Sequence, residues 1–304
     1  MNEFVVRRFL QGLITLALLA IIIFILSRAS GNPLDVLLPV DTSPEVRQAM
    51  ERRFRLDRSY PEQFWFFILD LLRGDLGTSI GLRTPVWELF WDRFPNSLLL
   101  VVPSFVVAFV LGVPLGVVSA LRRGRASGRL ADVVGVVGVA TPNFWVGILL
   151  IMVFSSWLGW LPSARMTGPA SFILPIVTLS TFLVAGIMRL VRSNMLEVLD
   201  AEFVKLARLK GVPNRRVVWH HALRNSLLPA ISFAGTFFAV LITGTIVIET
   251  VFAWPGVGRL LHSAVISRDF PLVQGILLIK AALIVGVNLF IDILYAWLDP
   301  RIRT

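Results

Sequence analysis

Proton transfer or metal binding would draw mainly on three histidines, three lysines and nineteen carboxylates. A zinc enzyme needs a cluster such as His-Glu-x-x-His. Here His220 and His221 stand beside Trp219 on a basic stretch, and His262 stands alone. A Walker A loop ends in Gly-Lys followed by Ser or Thr, because the lysine reaches the phosphates and the hydroxyl holds Mg2+. Lys205, Lys210 and Lys280 are followed by Leu, Gly and Ala, and none follows a glycine. Cysteine is absent, which removes disulfides, thiolate metal sites and a Cys nucleophile, and leaves the compartment unread. The sequence thus offers no catalytic, cofactor-binding or metal-ligating set, and catalysis by this chain alone is not expected.

The elements that would position such groups are unusually apolar. Hydrophobic residues make up 56% of the 304 residues and charged residues 16%, where soluble domains have about 45–50% and about 25%. Mean hydropathy is +0.78. This excludes a disordered or collagen-like chain and argues for apolar surface facing lipid. The net charge of +10 suggests either nucleic acid or the basic cytoplasmic loops of a membrane protein, and position must decide.

A spanning helix needs about 20 mostly apolar residues. Six stretches qualify: Phe9 to Leu26, Ser97 to Leu121, Leu130 to Leu158, Phe172 to Val191, Leu227 to Glu249 and Leu272 to Trp297. With the N-terminus inside, the cytoplasmic pieces hold 16 Lys and Arg: Arg7 and Arg8, a cluster over 122–129, eight from Arg189 to Arg224, and Arg301 and Arg303. The two short outer loops hold only Arg165, Arg259 and Arg268. That bias predicts six helices with both ends in the cytoplasm. It also removes the case for a nucleic-acid partner. Arg7, Arg8 and Ser27-Arg28-Ala29 resemble signal-peptide features, but 18 apolar residues between them exceed the usual about 7–15, so a retained helix is expected.

The expected organisation is a tail and first span over 1–26, an extracytoplasmic segment over 27–96, and a five-helix core over 97–304. In the outer segment, Thr42-Ser43-Pro44 begins a charged helix up to Tyr60. Pro61 to Leu72 is apolar but only about 12 residues long, too short to span. It is expected to lie in the interface, to pack on the outer helix ends, or to belong to a small extracytoplasmic domain. On the inner side, 192–226 reads as two short helices hinged at Gly211-Val212-Pro213-Asn214. In the first, Met195 to Lys210, Leu196, Leu199, Phe203, Leu206 and Ala207 share one side, while Val198, Val204 and Lys210 break the pattern. Gly211 suits a helix stop and Pro213 the first turn of a new helix. A mere connection would be shorter, so a contact is expected; the alternative is an amphipathic loop resting on the membrane.

Polar groups within the spans are few. Lys280 either snorkels to the outer interface or faces a water-filled path. Asp292, Asp299 and Arg301 fit an inner interface. Pro142 removes a backbone hydrogen bond and kinks the third stretch; Thr141 and Asn143 beside it either line a path or pack on a neighbour. Asn288 is a further path candidate. Gly235, Ala239 and Thr243 form a small-residue stripe suited to helix packing. Buried carboxylate chains and inverted repeats are not evident, which weakens the reading as a self-sufficient secondary transporter.

Several motifs carry a resemblance. Glu202-Phe203-Val204-Lys205-Leu206-Ala207-Arg208-Leu209-Lys210-Gly211, followed by His221-Ala222-Leu223-Arg224-Asn225-Ser226-Leu227-Leu228-Pro229, resembles the cytoplasmic EAA loop of ABC-importer permeases, in its dipeptide/oligopeptide/nickel branch. Leu72-Arg73-Gly74-Asp75-Leu76-Gly77, Glu249 to Gly258, Arg268 to Gly275 and the ending Leu298-Asp299-Pro300-Arg301-Ile302-Arg303 are similar to that branch too. Lys205 stands where the name-giving Glu would be, and Pro229 follows Gly211 by 18 residues, the longer form of the peptide branch.

The resemblance implies an all-α membrane protein with the type I ABC importer permease fold. It implies a second homologous permease, two ATP-binding subunits that hold ATP and Mg2+, an extracytoplasmic substrate-binding protein, and a di- or oligopeptide substrate, with nickel or another small solute as the alternative. The loop would couple to an ATPase through Glu202, Phe203, Leu206, Ala207, Arg208 and Lys210, with Gly211 making the turn.

Overall fold

The structure, a computed structural model, describes residues 2–298 except 30, 33 and 40; within these, the side chains of 2–4, 36, 37, 129, 228, 232, 236, 239, 242, 243 and 294–298 are not described. Arg129, Leu228, Ala239, Thr243 and the ending motif from Asp299, with Arg301 and Arg303, therefore lie outside the described side chains.

The helices in order are α1 (Asn2–Ala29), α2 (Leu34–Leu37), α3 (Pro44–Arg53), α4 (Tyr60–Leu72), α5 (Val86–Leu121), α6 (Ala126–Ala140) and α7 (Asn143–Leu150). They continue with α8 (Ile173–Leu199), α9 (Glu202–Leu209), α10 (Asn214–Arg216), α11 (Leu223–Gly244), α12 (Ile246–Val251), α13 (Val257–Ile266) and α14 (Phe270–Leu298). Two π-helical stretches, Ile151–Trp157 and Val217–Ala222, extend α7 and join α10 to α11. Among the described residues, four helical segments are long and apolar enough to cross a membrane: Val5–Ala29, Val86–Leu121, Pro169–Leu199 and Phe270–Ile293. A fifth results if α6 and the α7 segment count as one span, bent by 102°.

The bend falls at Pro142, where a kink in the third stretch over 130–158 was expected. Thr141 is extended, with ψ 127°, because a residue before proline is pushed out of the helical region. Pro142 donates no N–H, so α6 ends at Ala140 and α7 starts afresh at Asn143.

The chain forms two compact units, Met1–Asn96 with Pro255–Thr304, and Ser97–Trp254. In the first, α1 and α14 run antiparallel. A Cβ on Gly12 would lie 2.6 Å from Val285, so glycine permits the close approach. Arg8 pairs with Asp292 at 3.3 Å, which gives that carboxylate its place. Towards the other end, Phe24 of α1 meets Phe64 and Phe67 of α4, with centroids 5.2 and 5.6 Å apart. The short apolar helix thus packs on the C-terminal part of α1. Its start is fixed by a capping box: the Glu62 carboxylate accepts from the Ser59 N–H at 3.0 Å and its hydroxyl at 2.9 Å. Ser43 and Pro44 begin α3 as expected, with the Ser43 hydroxyl accepting from Val46 N–H at 3.4 Å.

In the second unit α8 is the hub, packing on α11, α6 and α7. Small residues set the spacing. A Cβ on Gly138 would lie 2.8 Å from Ala185, and one on Gly186 2.8 Å from Phe233. Arg192 of α8 forms an ion pair with Asp132 of α6.

Candidate functional site

The 192–226 segment departs from the expected pair of short helices. Residues 195–199 complete α8, whose Met195 is fully buried. The chain breaks at Asp200 and Ala201; Ala201 is extended, with ψ 149°, and its carbonyl accepts from Val204 and Lys205 N–H at 3.1 and 3.2 Å. The short helix is therefore 202–209, not 195–210. The second helix, by contrast, is long: α10, the π-helical turn and α11 follow one another without a gap from Asn214 to Gly244. Pro213 precedes this helix rather than opening its first turn, and its carbonyl accepts from Arg216 and Val217 N–H at 2.8 and 3.1 Å.

The turn between them is a Schellman motif. Gly211 N–H donates to the Arg208 carbonyl at 3.0 Å and Val212 N–H to the Ala207 carbonyl at 3.2 Å, with Gly211 at φ +77°. Gly211 thus has the stop role expected of it.

Val204 is the one buried residue of α9, although the periodicity set it aside. It anchors the helix, which packs on α8 and on the π-helical turn where Val217 and Val218 are buried too. With Val204 turned inward, Phe203, Leu206 and Leu209 are 45%, 52% and 84% exposed. Ala207 is half-buried; Glu202, Arg208 and Lys210 are exposed. Lys205 reaches Glu202 at 3.7 Å across an exposed turn, a pair of little energetic weight. The result is a short, doubly anchored helix with an apolar edge and basic flanks turned outward.

The four path candidates fall in two groups. Thr141 and Asn143 are both half-buried at the α6–α7 break. The Thr141 hydroxyl donates to the Val137 carbonyl at 2.6 Å, while Asn143 Oδ1 is buried without a hydrogen-bond partner. Lys280 and Asn288 belong to α14 in the other unit. Lys280 is 4% exposed, so it does not snorkel, and Asn288 is exposed.

Sequence reasoning missed Glu249. It is fully buried, and the Ser97 hydroxyl donates to its Oε1 at 2.7 Å. An acidic residue closing a long apolar stretch was the available signal. His220 and His221 are exposed and half-buried, with rings 5.2 Å apart, as surface residues would be.

Comparison with known proteins agrees with this architecture. Residues 112–304 match the family described as binding-protein-dependent transport system inner membrane component. The oligopeptide transport system permease protein AppB of Bacillus subtilis (strain 168) is 37% identical over 315 residues, covering 100% of each chain. The glutathione transport system permease protein GsiC of Escherichia coli (strain K12) is 35% identical over 304 residues, covering 100% of this chain and 99% of GsiC. Among solved structures, the inward-facing MetNI methionine ABC transporter has a TM-score of 0.58 at 18% identity, covering 70% of this chain and 97% of that one, a likeness of fold. This all-helical chain, with the type I ABC importer permease fold, therefore belongs to the binding-protein-dependent transport system inner membrane component family, as a permease subunit of an ABC importer.

Proposed function

We propose that the chain forms half of the translocation path of an importer for short peptides. It pairs with a second, homologous permease, works above two ATP-binding subunits, and receives substrate from an extracytoplasmic binding protein. Six spans place both termini in the cytoplasm. ATP and Mg2+ are held by the partner subunits, and this chain supplies no catalytic group. Relatives named for oligopeptide and glutathione transport, alike over the whole chain, support peptide over nickel as cargo.

The observation that carries the coupling role is α9, which turns Phe203 and Leu206 outward while Val204 holds it down. Phe203, Leu206 and Ala207 pack in a groove of an ATP-binding subunit, Glu202, Arg208 and Lys210 make polar contacts, and Gly211 fixes the turn. ATP-driven closure of the ATPase pair displaces α9 and shifts the permease pair between inward- and outward-facing states. The shift is limited to the difference in affinity of the ATPases for the two states. Thr141, Asn143, Lys280 and Asn288 line the path in this reading.

The test is reconstitution with the partner subunits and measurement of ATP-dependent uptake of a peptide mixture. Gly211→Pro should insert in the membrane yet lose uptake; normal ATP-driven uptake by that variant would defeat the assignment.

A further inference from the structure

The second unit holds a groove of about 630 Å³ between α6, α8 and α11. Pockets that hold small organic ligands span about 300–1,000 Å³. Its polar wall is Arg189, Arg192 and Ser193 of α8, which all line the groove and share one helix face at i, i+3 and i+4. Both arginine stems run towards α6. A Cβ on Gly135 would lie 2.9 Å from Arg189 Cγ and 3.3 Å from its Cδ. One turn earlier on α6, Asp132 forms the ion pair with Arg192. A ligand can reach these groups: Arg189 and Ser193 are exposed, and the Arg192 side chain is 22% exposed.

The two ends of the groove differ. Towards the N-terminal half of α8 its walls are Phe182, Val136, Val139 and Phe233, with no polar side chain among the described residues there. The Phe182 and Phe233 rings both pack on Phe237, at centroid distances of 5.3 and 4.3 Å. At the other end Asp132 neutralises Arg192, and Arg189 has no carboxylate partner among the described residues, so the groove keeps a positive charge. Arg189 follows Pro169, where this apolar segment begins, by 20 residues. At 1.5 Å per residue that is about 30 Å, the thickness of the hydrocarbon layer. The uncompensated guanidinium therefore falls at the level of the lipid phosphates, with apolar walls beside it running back into the hydrocarbon.

We propose that this groove binds one anionic phospholipid, with its phosphate on Arg189 and Ser193 and the first part of an acyl chain against Phe182, Val139 and Phe233. The guanidinium offers paired donors that match phosphate oxygens, and the Ser193 hydroxyl adds another. A zwitterionic headgroup would bring its own cation towards Arg189 and Arg192, so phosphatidylglycerol is preferred over phosphatidylcholine. A peptide would set its backbone N–H and C=O groups against an end that offers them no hydrogen bond, a cost that an acyl chain does not carry. The site goes beyond the importer reading. Only its leaflet, the cytoplasmic one, rests on the orientation proposed above.

The test uses the full chain, delipidated in detergent and titrated with phosphatidylglycerol or phosphatidylcholine, with retained lipid counted by native mass spectrometry. One phosphatidylglycerol should bind saturably, and phosphatidylcholine about tenfold or more weaker, the loss of one charge-assisted hydrogen bond. Arg189→Gln should bring phosphatidylglycerol down to the phosphatidylcholine level. Ser193→Glu, at an exposed position, should do the same, and it carries the test alone if Arg189→Gln does not fold. The double variant Arg122→Gln/Arg123→Gln removes two exposed arginines outside the groove and should leave retention unchanged. Excess inorganic phosphate, which has no chain, should not displace the lipid. Equal retention of the two lipids, wild-type retention in Ser193→Glu, or an equal loss in the Arg122/Arg123 variant would overturn the proposal. So would displacement by inorganic phosphate or by the tripeptide Ala-Leu-Phe, or a lipid held by the isolated chain and absent from the assembled importer. ATP-driven peptide uptake is read separately: its absence removes the importer reading and leaves the lipid site standing.

Discussion

Ser79 donates its hydroxyl to Asp269 at 2.5 Å across 190 residues of sequence, and both side chains are buried. The same carboxylate accepts from the Gly81 N–H at 3.0 Å and from the Leu272 N–H at 3.3 Å. One residue thus caps α14 and ties the 79–81 loop to it. Asp269→Ala strands three donors and should destabilise the protein by about 3 kcal/mol. Limited proteolysis should then cut within 79–84, with a lower thermal midpoint in detergent. A wild-type cleavage pattern would mean that other contacts hold the loop.

Val204 and Phe203 are neighbours with opposite duties. Val204→Ala removes two buried methyl groups and should cost about 1.5 kcal/mol of stability. Phe203→Ala and Leu206→Ala remove exposed groups and should change the stability of the isolated chain by no more than about 0.5 kcal/mol. Both should nevertheless reduce co-purification with the ATP-binding subunits and peptide uptake. Thermal melts and pull-downs on the same three variants check the split.

Gly211 is required by its backbone and not by crowding. A Cβ there would meet nothing within 4 Å, yet φ is +77°. Gly211→Val should therefore lose about 1–2 kcal/mol, while Gly211→Asn, which tolerates the left-handed region, should lose less. Uptake should follow the same order. Equal activity of the two variants would show that the turn is free to rearrange.

The Glu62 carboxyl titrates below its ordinary value, first through the Ser59 hydroxyl and then through the Ser59 backbone N–H. A depressed folded value stabilises above the unfolded value and is lost as pH falls through the folded one. Protection of the amides at the start of α4, taken relative to their intrinsic exchange rate at each pH, should accordingly fall on acidification below about pH 4.3, the ordinary glutamate value. Ser59→Ala should speed that exchange at neutral pH and flatten its pH dependence. An identical profile in the variant would rule out the capping box as its source.

Much of the fold is legible because its signals are local. Apolar length marks the long helices, Ser43-Pro44 marks the start of α3, and Gly211 marks the end of α9. The break at Asp200-Ala201 has no such mark. Neither glycine nor proline is present, and Ala201 becomes extended only because α9 turns away to bury Val204. Periodicity read through that break put Val204 on the wrong side. The Pro142 signal was legible as a kink, but its size depends on the helices around it. Gln63 and Gln274 give no warning in sequence, since an amide becomes noteworthy only when folding buries one of its polar atoms without a partner. Glu249 is of the same kind: its burial and its bond to Ser97 are tertiary facts.

From Asn214 to Gly244 the backbone is helical through the π-helical turn and past Pro229. At 1.5 Å per residue that is a rod of about 46 Å, with one end beside the Gly211 turn. Stiffness of this kind trades angle for distance. If the element rocks as one body by about 5° at the near end, the far end sweeps through about 4 Å, roughly the width of a methylene chain.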